Sequence, residues 1–413
     1  DLVYSTIVEQ FESLHKVGYL PLKIAALQEG TQVNMRIPVL SIVNTLDEFY
    51  WLPGYLETTL LANTFVTSTS ASVARAFRKV GQKYADLTSD NDAYLDFQFH
   101  DFSQRGQHGD EAAVLSGLAH LTSFKGTDII PAVYEAYQVW PSNEFYGGSV
   151  VATEHSVEES LAGIYGTDTR GQIDAMKDLI DRVPNGILSV VSDTYDYWDV
   201  IDNVLPALKK DILNREGKLV IRPDSLTEHR EKTPNERIEC VEDQLVKSLE
   251  AMYETFGGTI NSKGFKVLDS HIGLLHGEGI NLDNVECLLK AIMNAGFSCE
   301  NIVLGVGAYV YSVLSSRDSF GQALKASAAI IGEKEVEIFK KPKSEKEEFK
   351  RSPKGAVSIH GESGNYEMIE NLTIEESFSD EQNQMNVIFN DGYLTKTTSL
   401  TEIRETILKE LDI

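Results

Sequence analysis

Phe99-His100-Asp101-Phe102-Ser103-Gln104-Arg105-Gly106 is the stretch on which the fold turns. The run leading into it, Tyr94-Leu95-Asp96-Phe97-Gln98-Phe99, alternates apolar and polar residues and predicts a strand. A strand that closes on an aromatic, an arginine and a glycine puts a flat ring and a fixed cation at a strand mouth, where α/β folds hold their ligands. Phe102 offers a stacking face for a flat heterocycle, and Arg105 a fork for phosphate or carboxylate. On this motif alone, core packing plus a surface ion pair is the commoner outcome. The rest of the chain shifts that balance.

Downstream of Tyr94, short apolar runs alternate with helical patterns, and each run ends in polar residues or glycine. This is the βα signature. Strands are expected over Leu95–Phe99, Ser149–Ala152, Gly186–Val191, Lys218–Ile221, Gly264–Leu268, Gly273–Leu275 and Asn301–Leu304. Helices are expected between them, among them Asp110–His120, Gly171–Asp181, Val241–Phe256 and Leu282–Asn294. Repeated right-handed βα units over 94–325 point to a barrel-like closure, with its site at the C-terminal strand ends. Upstream, 1–93 predicts a helix (Tyr4 to Lys16), two strands (Leu20–Ala26 and Arg36–Val43) and helices over Leu46–Tyr50 and Pro53–Ala85. The Thr/Ser-rich Thr67–Ser72 is poor helix material and is expected to break the last of these. From 326 to 413 short strands return (Val336–Phe339, Ala356–His360, Asn386–Phe389) and an amphipathic helix, Leu400–Leu411, closes the chain. The charge run from Lys340 to Arg351 reads as a solvated loop, or as a basic flap over an anionic ligand. There is no internal repeat and no low-complexity segment.

The strand ends carry a coherent set of groups. In chain order they offer Phe102 and Arg105; Phe124-Lys125-Gly126-Thr127-Asp128; Ser149, then Thr153-Glu154-His155-Ser156; Ser189, then Ser192-Asp193-Thr194; Arg222-Pro223-Asp224-Ser225; His276-Gly277-Glu278; and Gly305-Val306-Gly307. Ser315-Ser316-Arg317-Asp318 and Lys325 follow. Each has a bland explanation. Ser-Asp-Thr caps helices, Arg-Pro-Asp-Ser makes a capped turn, a lone histidine is usually half-buried and satisfied, and Gly-x-Gly is weak alone. Their joint placement is what argues for a site. Arginines, a lysine and backbone N–H groups exposed by glycine suit phosphates. Carboxylates suit ribose hydroxyls and Mg²⁺, and one aromatic suits a planar base.

Composition bounds the reading. The 413 residues are ample for two domains, and 42% hydrophobic with 24% charged is ordinary for a globular protein. A net charge of -26 argues against nucleic-acid or anionic-membrane partners. Charge screening over about 8 Å still lets a local Arg/Lys cluster bind an anionic small substrate. Cys240, Cys287 and Cys299 show no metal-ligand spacing and read as buried free thiols in a reducing, cytoplasmic compartment. The sequence shows no signal-peptide pattern and no apolar run that spans a bilayer.

The strings FHDFSQRG, FKGTD, EHS, SVVSDTYD, IRPDS, HGEG, GVG…SSRD and FKKP…KRSPKG resemble, in order and at similar spacing, the nicotinamide phosphoribosyltransferase family. The resemblance runs from near residue 15 to the C-terminus, and GVGAYVYSVLSSRDSFGQALK is closer to the bacterial and phage branch than to the animal one. It implies a type II phosphoribosyltransferase: an irregular α/β barrel plus a second α+β domain formed from both chain ends. It further implies a homodimer with shared active sites. The implied reaction joins nicotinamide to phosphoribosyl pyrophosphate with Mg²⁺, releasing nicotinamide mononucleotide and pyrophosphate, as in NAD salvage. By position it implies that Phe102 stacks on the pyridine ring, that Asp128 accepts the carboxamide N–H, and that Arg105, Arg222 and His155 line the diphosphate side. Asp193 and Asp224 are implied for ribose and Mg²⁺-linked oxygens, directly or through water or diphosphate. Gly277 and Glu278 are implied for the ribose hydroxyls, Gly307 for the 5′-phosphate, and Arg317 and Lys325 for that phosphate from the other subunit. Ser149 and Ser189 complete the expected substrate-binding set. His155 matches the histidine that the family phosphorylates with ATP.

The resemblance has departures. The family's N-terminal Asp-Ser-Tyr-Lys motif has no counterpart in the sequence as given, which opens at Asp1; a trimmed or separately encoded N-terminus is the expectation. Glu278 stands where aspartate is usual, Ala308 and Tyr309 replace glycine-rich residues, and Ala323 replaces a phosphate-binding serine. Two rival functions stay open at this point: the same transfer to nicotinic acid, and a catalytically silent binding or regulatory homologue. An ionised Asp128 accepts an amide N–H and repels a carboxylate, which favours nicotinamide.

Overall fold

The computed structural model describes residues 2–225, 234–313, 316–340 and 351–411. The chain divides into two compact units, Asp1–Val66 with Ser316–Asp412, and Thr67–Ser315. The division falls inside one long helix, Leu52–Thr88.

In the Thr67–Ser315 unit, a six-stranded parallel sheet runs in the order Phe99–Asp101, Ile302–Val306, Ile272–His276, Leu219–Arg222, Leu188–Val191, Val151–Ala152. Its two edges are joined by a short stave at 126–127. Parallel bridges link Asp101 to Thr127 and Gly126 to Gly148. The Asp101 N–H donates to the Gly126 carbonyl at 3.1 Å and the Thr127 N–H to the Gly148 carbonyl at 3.1 Å. Because Gly148 lies three residues before Val151, these bridges bring the two edges of the sheet together as an irregular α/β barrel. The inner strands Leu188–Val191, Leu219–Arg222 and Ile272–His276 are buried on both faces, and so read as largely apolar runs, while the short strand Val151–Ala152 is exposed. Leu188, Val190, Leu219, Ile221, Ile272, Leu274, Ile302 and Leu304 pack in one core with Leu245, Leu249 and Met252 of helix Pro234–Phe256 and with Leu288, Leu289 and Ile292 of helix Val285–Asn294.

Three expectations are corrected in this unit. Leu95–Gln98 is a helical turn, and the strand begins only at Phe99. Leu95 and Gln98, three apart, are buried while Phe97 is exposed, so the six-residue alternation reflects one helical turn. Lys266–Leu268 pairs antiparallel with Gly258–Ile260 in a separate ribbon and is not a barrel stave. Helix Leu52–Thr88 runs unbroken through its Thr/Ser-rich middle. There Ser72 donates to the Ser68 carbonyl at 2.8 Å, as Thr64 does about two turns earlier to Leu60, so hydroxyls that compete with the helix elsewhere here bond within it.

The other unit holds a four-stranded antiparallel sheet in the order Tyr393–Leu394, Asn386–Asn390, Leu22–Ala26, Leu40–Asn44. Pairing of Leu22–Ala26 with Asn386–Asn390 makes this an α+β unit formed from both chain ends. A hairpin of Ala356–Glu362 and Asn365–Leu372 and a ribbon of Ala328–Ile331 and Lys334–Glu337 accompany it. Helix Leu400–Lys409 starts in a capping box, Ser399 with Glu402. The proposed flap falls on 341–350, outside the described residues. Cys299 is buried and free as expected, but Cys287 is exposed. No helix among the described residues is long and apolar enough to cross a membrane.

Candidate active site

Parallel strands deliver their C-terminal ends to one mouth of the barrel, and most of the expected residues of this unit lie on those ends or on the loops that follow; Ser149 precedes strand Val151–Ala152 and Ser189 lies within Leu188–Val191. They fall into two connected groups.

The first group is built around Phe102 and Asp128. Phe102 follows strand Phe99–Asp101, and its N–H donates to the Val306 carbonyl at 2.9 Å. Its ring lies against Gly305 of the neighbouring strand: a Cβ on that glycine would sit 2.8 Å from the ring and 2.9 Å from the Gly277 Cα. Glycine is therefore required at 305 for Phe102 to take this place. Asp128 follows the 126–127 stave, and its N–H donates to the Asp101 carbonyl at 3.0 Å. Its carboxylate Oδ1 lies 2.8 Å from Nε2 of His100, and Ser149 donates to it as well. Partial burial pushes the Asp128 carboxyl up, but these hydrogen bonds and the charges of His100 and Arg222 outweigh it and hold the carboxyl below its ordinary value. Asp128 is thus ionised at neutral pH. Gly277 and Gly307 each have open space where a side chain would stand, so backbone is presented at both positions. Glu278 is exposed.

The second group joins three strand ends. His155 opens helix His155–Tyr165. Its Nε2 lies 3.4 Å from Asp193 Oδ1 and its Nδ1 3.9 Å from Asp224 Oδ2. Asp193 is nearly buried; its Oδ2 accepts the N–H groups of Asp224 at 3.1 Å and Ser225 at 2.6 Å, which ties the loop after Asp193 to the loop after Arg222. Arg222 donates from Nη2 to the Thr153 carbonyl at 2.6 Å, and its Nε lies 3.5 Å from Asp224 Oδ1. Burial raises the Asp224 carboxyl above its ordinary value, and repulsion from Asp193 adds to this, against the attraction of Arg222, His155 and Arg105. Arg105, in the 3-10 turn Gln104–Gly106, is exposed. The charges of Arg222 act on both Asp128 and Asp224, so the two groups form one electrostatic site.

Several buried polar atoms here lack a hydrogen-bond partner: Arg222 Nε, Asp193 Oδ1, Ser189 Oγ, Glu158 Oε1 and His276 Nε2. Buried polar groups are normally satisfied, and these five keep hydrogen-bonding capacity for a polar ligand. No three His, Cys, Asp or Glu side chains among the described residues are grouped to hold a metal by themselves. Two carboxylates, one with a buried unbonded oxygen, do fit a Mg²⁺ whose remaining ligands are water and substrate oxygens.

Arg317 and Lys325 belong to the other compact unit, where both are exposed and Arg317 pairs with Asp318 at 2.8 Å. Residue reading gave no role to four residues around the site. His100 carries Asp128. Thr153 takes Arg222 on its carbonyl and the Val191 N–H on its hydroxyl at 3.0 Å. Glu158 accepts from Thr153, and burial raises its carboxyl. His276 is fully buried, with Nδ1 3.3 Å from the Pro223 carbonyl, and burial holds its ring below its ordinary value. The period-2 spacing of His100 and Phe102 was the available signal for the first; Thr153 and His276 had only their place at strand ends, and Glu158 carried none.

The nicotinate phosphoribosyltransferase (NAPRTase) family model matches residues 97–392. A protein of Acinetobacter baylyi named nicotinamide phosphoribosyltransferase is 36% identical over 412 residues, covering 98% of this chain and 79% of that protein. Proteins of the same name from Mycoplasma pneumoniae (33% identical, 78% of this chain and 68% of that protein) and Xanthomonas campestris (28%, 94% and 79%) are also similar. On the extent of that family match and the depth of these similarities, the chain belongs to the nicotinate phosphoribosyltransferase family.

Proposed function

We propose that this enzyme transfers the phosphoribosyl group of phosphoribosyl pyrophosphate to nicotinamide, giving nicotinamide mononucleotide and pyrophosphate. The observation that carries the choice of nicotinamide is Asp128, kept ionised beside Phe102 at the barrel mouth. An ionised carboxylate accepts the carboxamide N–H and repels the carboxylate of nicotinic acid. The names of the bacterial relatives support the same base.

The chemistry needs little from the protein beyond placement and charge. The pyridine nitrogen attacks the anomeric carbon with its own lone pair, so no general base is required. The bond from that carbon to the diphosphate oxygen breaks, and its electron pair leaves with pyrophosphate. Positive charge builds on the sugar as the bond lengthens, and Asp193 and Asp224 stabilise it. Arg222 and Arg105 neutralise the departing diphosphate. Asp193 and Asp224 would hold Mg²⁺, which would supply further charge neutralisation on the diphosphate side. Ser149 and Ser189 provide hydroxyls, Gly277 and Glu278 meet the ribose hydroxyls, and Gly307 offers backbone to the 5′-phosphate.

The proposal extends to a cytoplasmic homodimer in which Arg317 and Lys325 serve the 5′-phosphate of a second copy's site. It also extends to His155 as the acceptor of a phosphoryl group from ATP; its half-exposed ring between two carboxylates supports that role. The test of the main reading is product formation from nicotinamide, with nicotinic acid run in parallel.

A further inference from the structure

His100 is nine-tenths buried at the barrel mouth and touches both residues proposed to hold the base. Its Nε2 lies 2.8 Å from Asp128 Oδ1. Its ring centroid lies 4.6 Å from that of Phe102, with the planes 36° apart. On the far side, a Cβ on Gly126 would stand 2.9 Å from Nδ1, so the ring is wedged against the backbone of the adjoining stave. Three contacts from three directions leave this imidazole one position.

Barrel closure produces this arrangement. The bridge between Asp101 and Thr127 sets the register in which His100, one residue before the first, meets Asp128, one residue after the second. With the proton on Nε2, His100 donates to Asp128 and directs the carboxylate's remaining lone pairs elsewhere. Phe102, already packed on Gly305, gains its second support from the imidazole.

We propose that His100 is a positioning residue that fixes Asp128 and Phe102 relative to each other, and that it thereby sets the preference for a carboxamide over a carboxylate base. This rests on the nicotinamide reading above.

Three variants separate the contributions. His100→Phe keeps a ring against Phe102 and removes the donor. His100→Gln keeps a donor and removes the ring. His100→Ala removes both. Loss of one hydrogen bond to a charged group corresponds to about 10–100-fold. His100→Phe is therefore expected to raise KM for nicotinamide by about that factor, with kcat changed less than about threefold. Its ratio of kcat/KM for nicotinamide over nicotinic acid falls in parallel. His100→Gln recovers part of the ratio, and His100→Ala loses most. Thermal melts of all three establish folding. A residue serving only the fold would lower activity on both bases alike and leave the ratio unchanged, and that result overturns the proposal.

Calorimetric binding of nicotinamide to the wild type and to His100→Phe makes the comparison without turnover. A wild type that binds nicotinamide but forms no product contradicts the functional reading, while weaker binding by the variant still supports the role of His100. Equal binding by the two proteins, or no binding by the wild type, contradicts it.

Discussion

The Nε2 of His155 stands 3.4 Å from Oδ1 of Asp193, an oxygen that is buried and has no hydrogen-bond partner. The other oxygen of the same carboxylate binds the backbone N–H groups of Asp224 and Ser225. Asp193 therefore cannot swing away from the imidazole without breaking both. Nε2 thus faces one fixed carboxylate, while Nδ1 lies 3.9 Å from Asp224 Oδ2.

That relationship predicts where ATP would leave its phosphoryl group. Incubation with ATP labelled at the terminal phosphate should give acid-labile label on the wild type and none on His155→Ala. Asp193→Asn, which weakens the polarising charge, should label at least about 10-fold more slowly. Label that persists in His155→Ala would place the acceptor elsewhere.

Asp224 predicts an opposition between stability and activity. The fold holds its carboxyl above the ordinary value, through burial first and then repulsion from Asp193. A raised carboxyl contributes stability that is present below its unfolded pKa and is lost as pH rises through its folded pKa. At neutral pH the charged form thus works against the fold. Asp224→Asn should raise the melting temperature at neutral pH, and the gain should shrink as pH falls to about 4. Turnover should drop by about 100-fold or more, since the charge at the sugar is gone. Melts at several pH values, paired with initial rates, check both halves.

Gly305 predicts the cost of moving Phe102. A Cβ there would overlap both the Phe102 ring and the Gly277 backbone. Gly305→Ala should destabilise the protein by about 1–3 kcal/mol, the usual range for overpacking, and raise KM for the base more than it lowers kcat. Urea unfolding and steady-state kinetics measure the two effects. Unchanged KM would mean that Phe102 does not contact the base.

Most of the barrel was readable because parallel strands are buried on both faces. Leu219-Val220-Ile221 and Ile302-Val303-Leu304 stand out as apolar runs, and the polar residues that end them mark the mouth. The 126–127 stave was not readable: Gly126-Thr127 is too short for any periodicity, and the closing contacts come from bridges made in the folded barrel. Leu95–Gln98 misled because six alternating residues fit one helical turn as well as a strand. The site followed the same division. Charged and aromatic strand ends such as Phe102, Asp128, Asp193 and Arg222 were visible in the chain, and the structure joins them. The pairing of His100 with Asp128 depends on register between distant segments, and Thr153 acts through its carbonyl, which carries no sequence signature.

The most direct test is product formation from phosphoribosyl pyrophosphate and Mg²⁺, with nicotinamide and nicotinic acid in separate reactions, on the wild type and on Asp128→Asn. The account predicts nicotinamide mononucleotide from the wild type, little product from nicotinic acid, and a preference reduced by about 100-fold in Asp128→Asn. A wild type that turns over nicotinic acid in preference, or a preference that survives loss of the Asp128 charge, would contradict it.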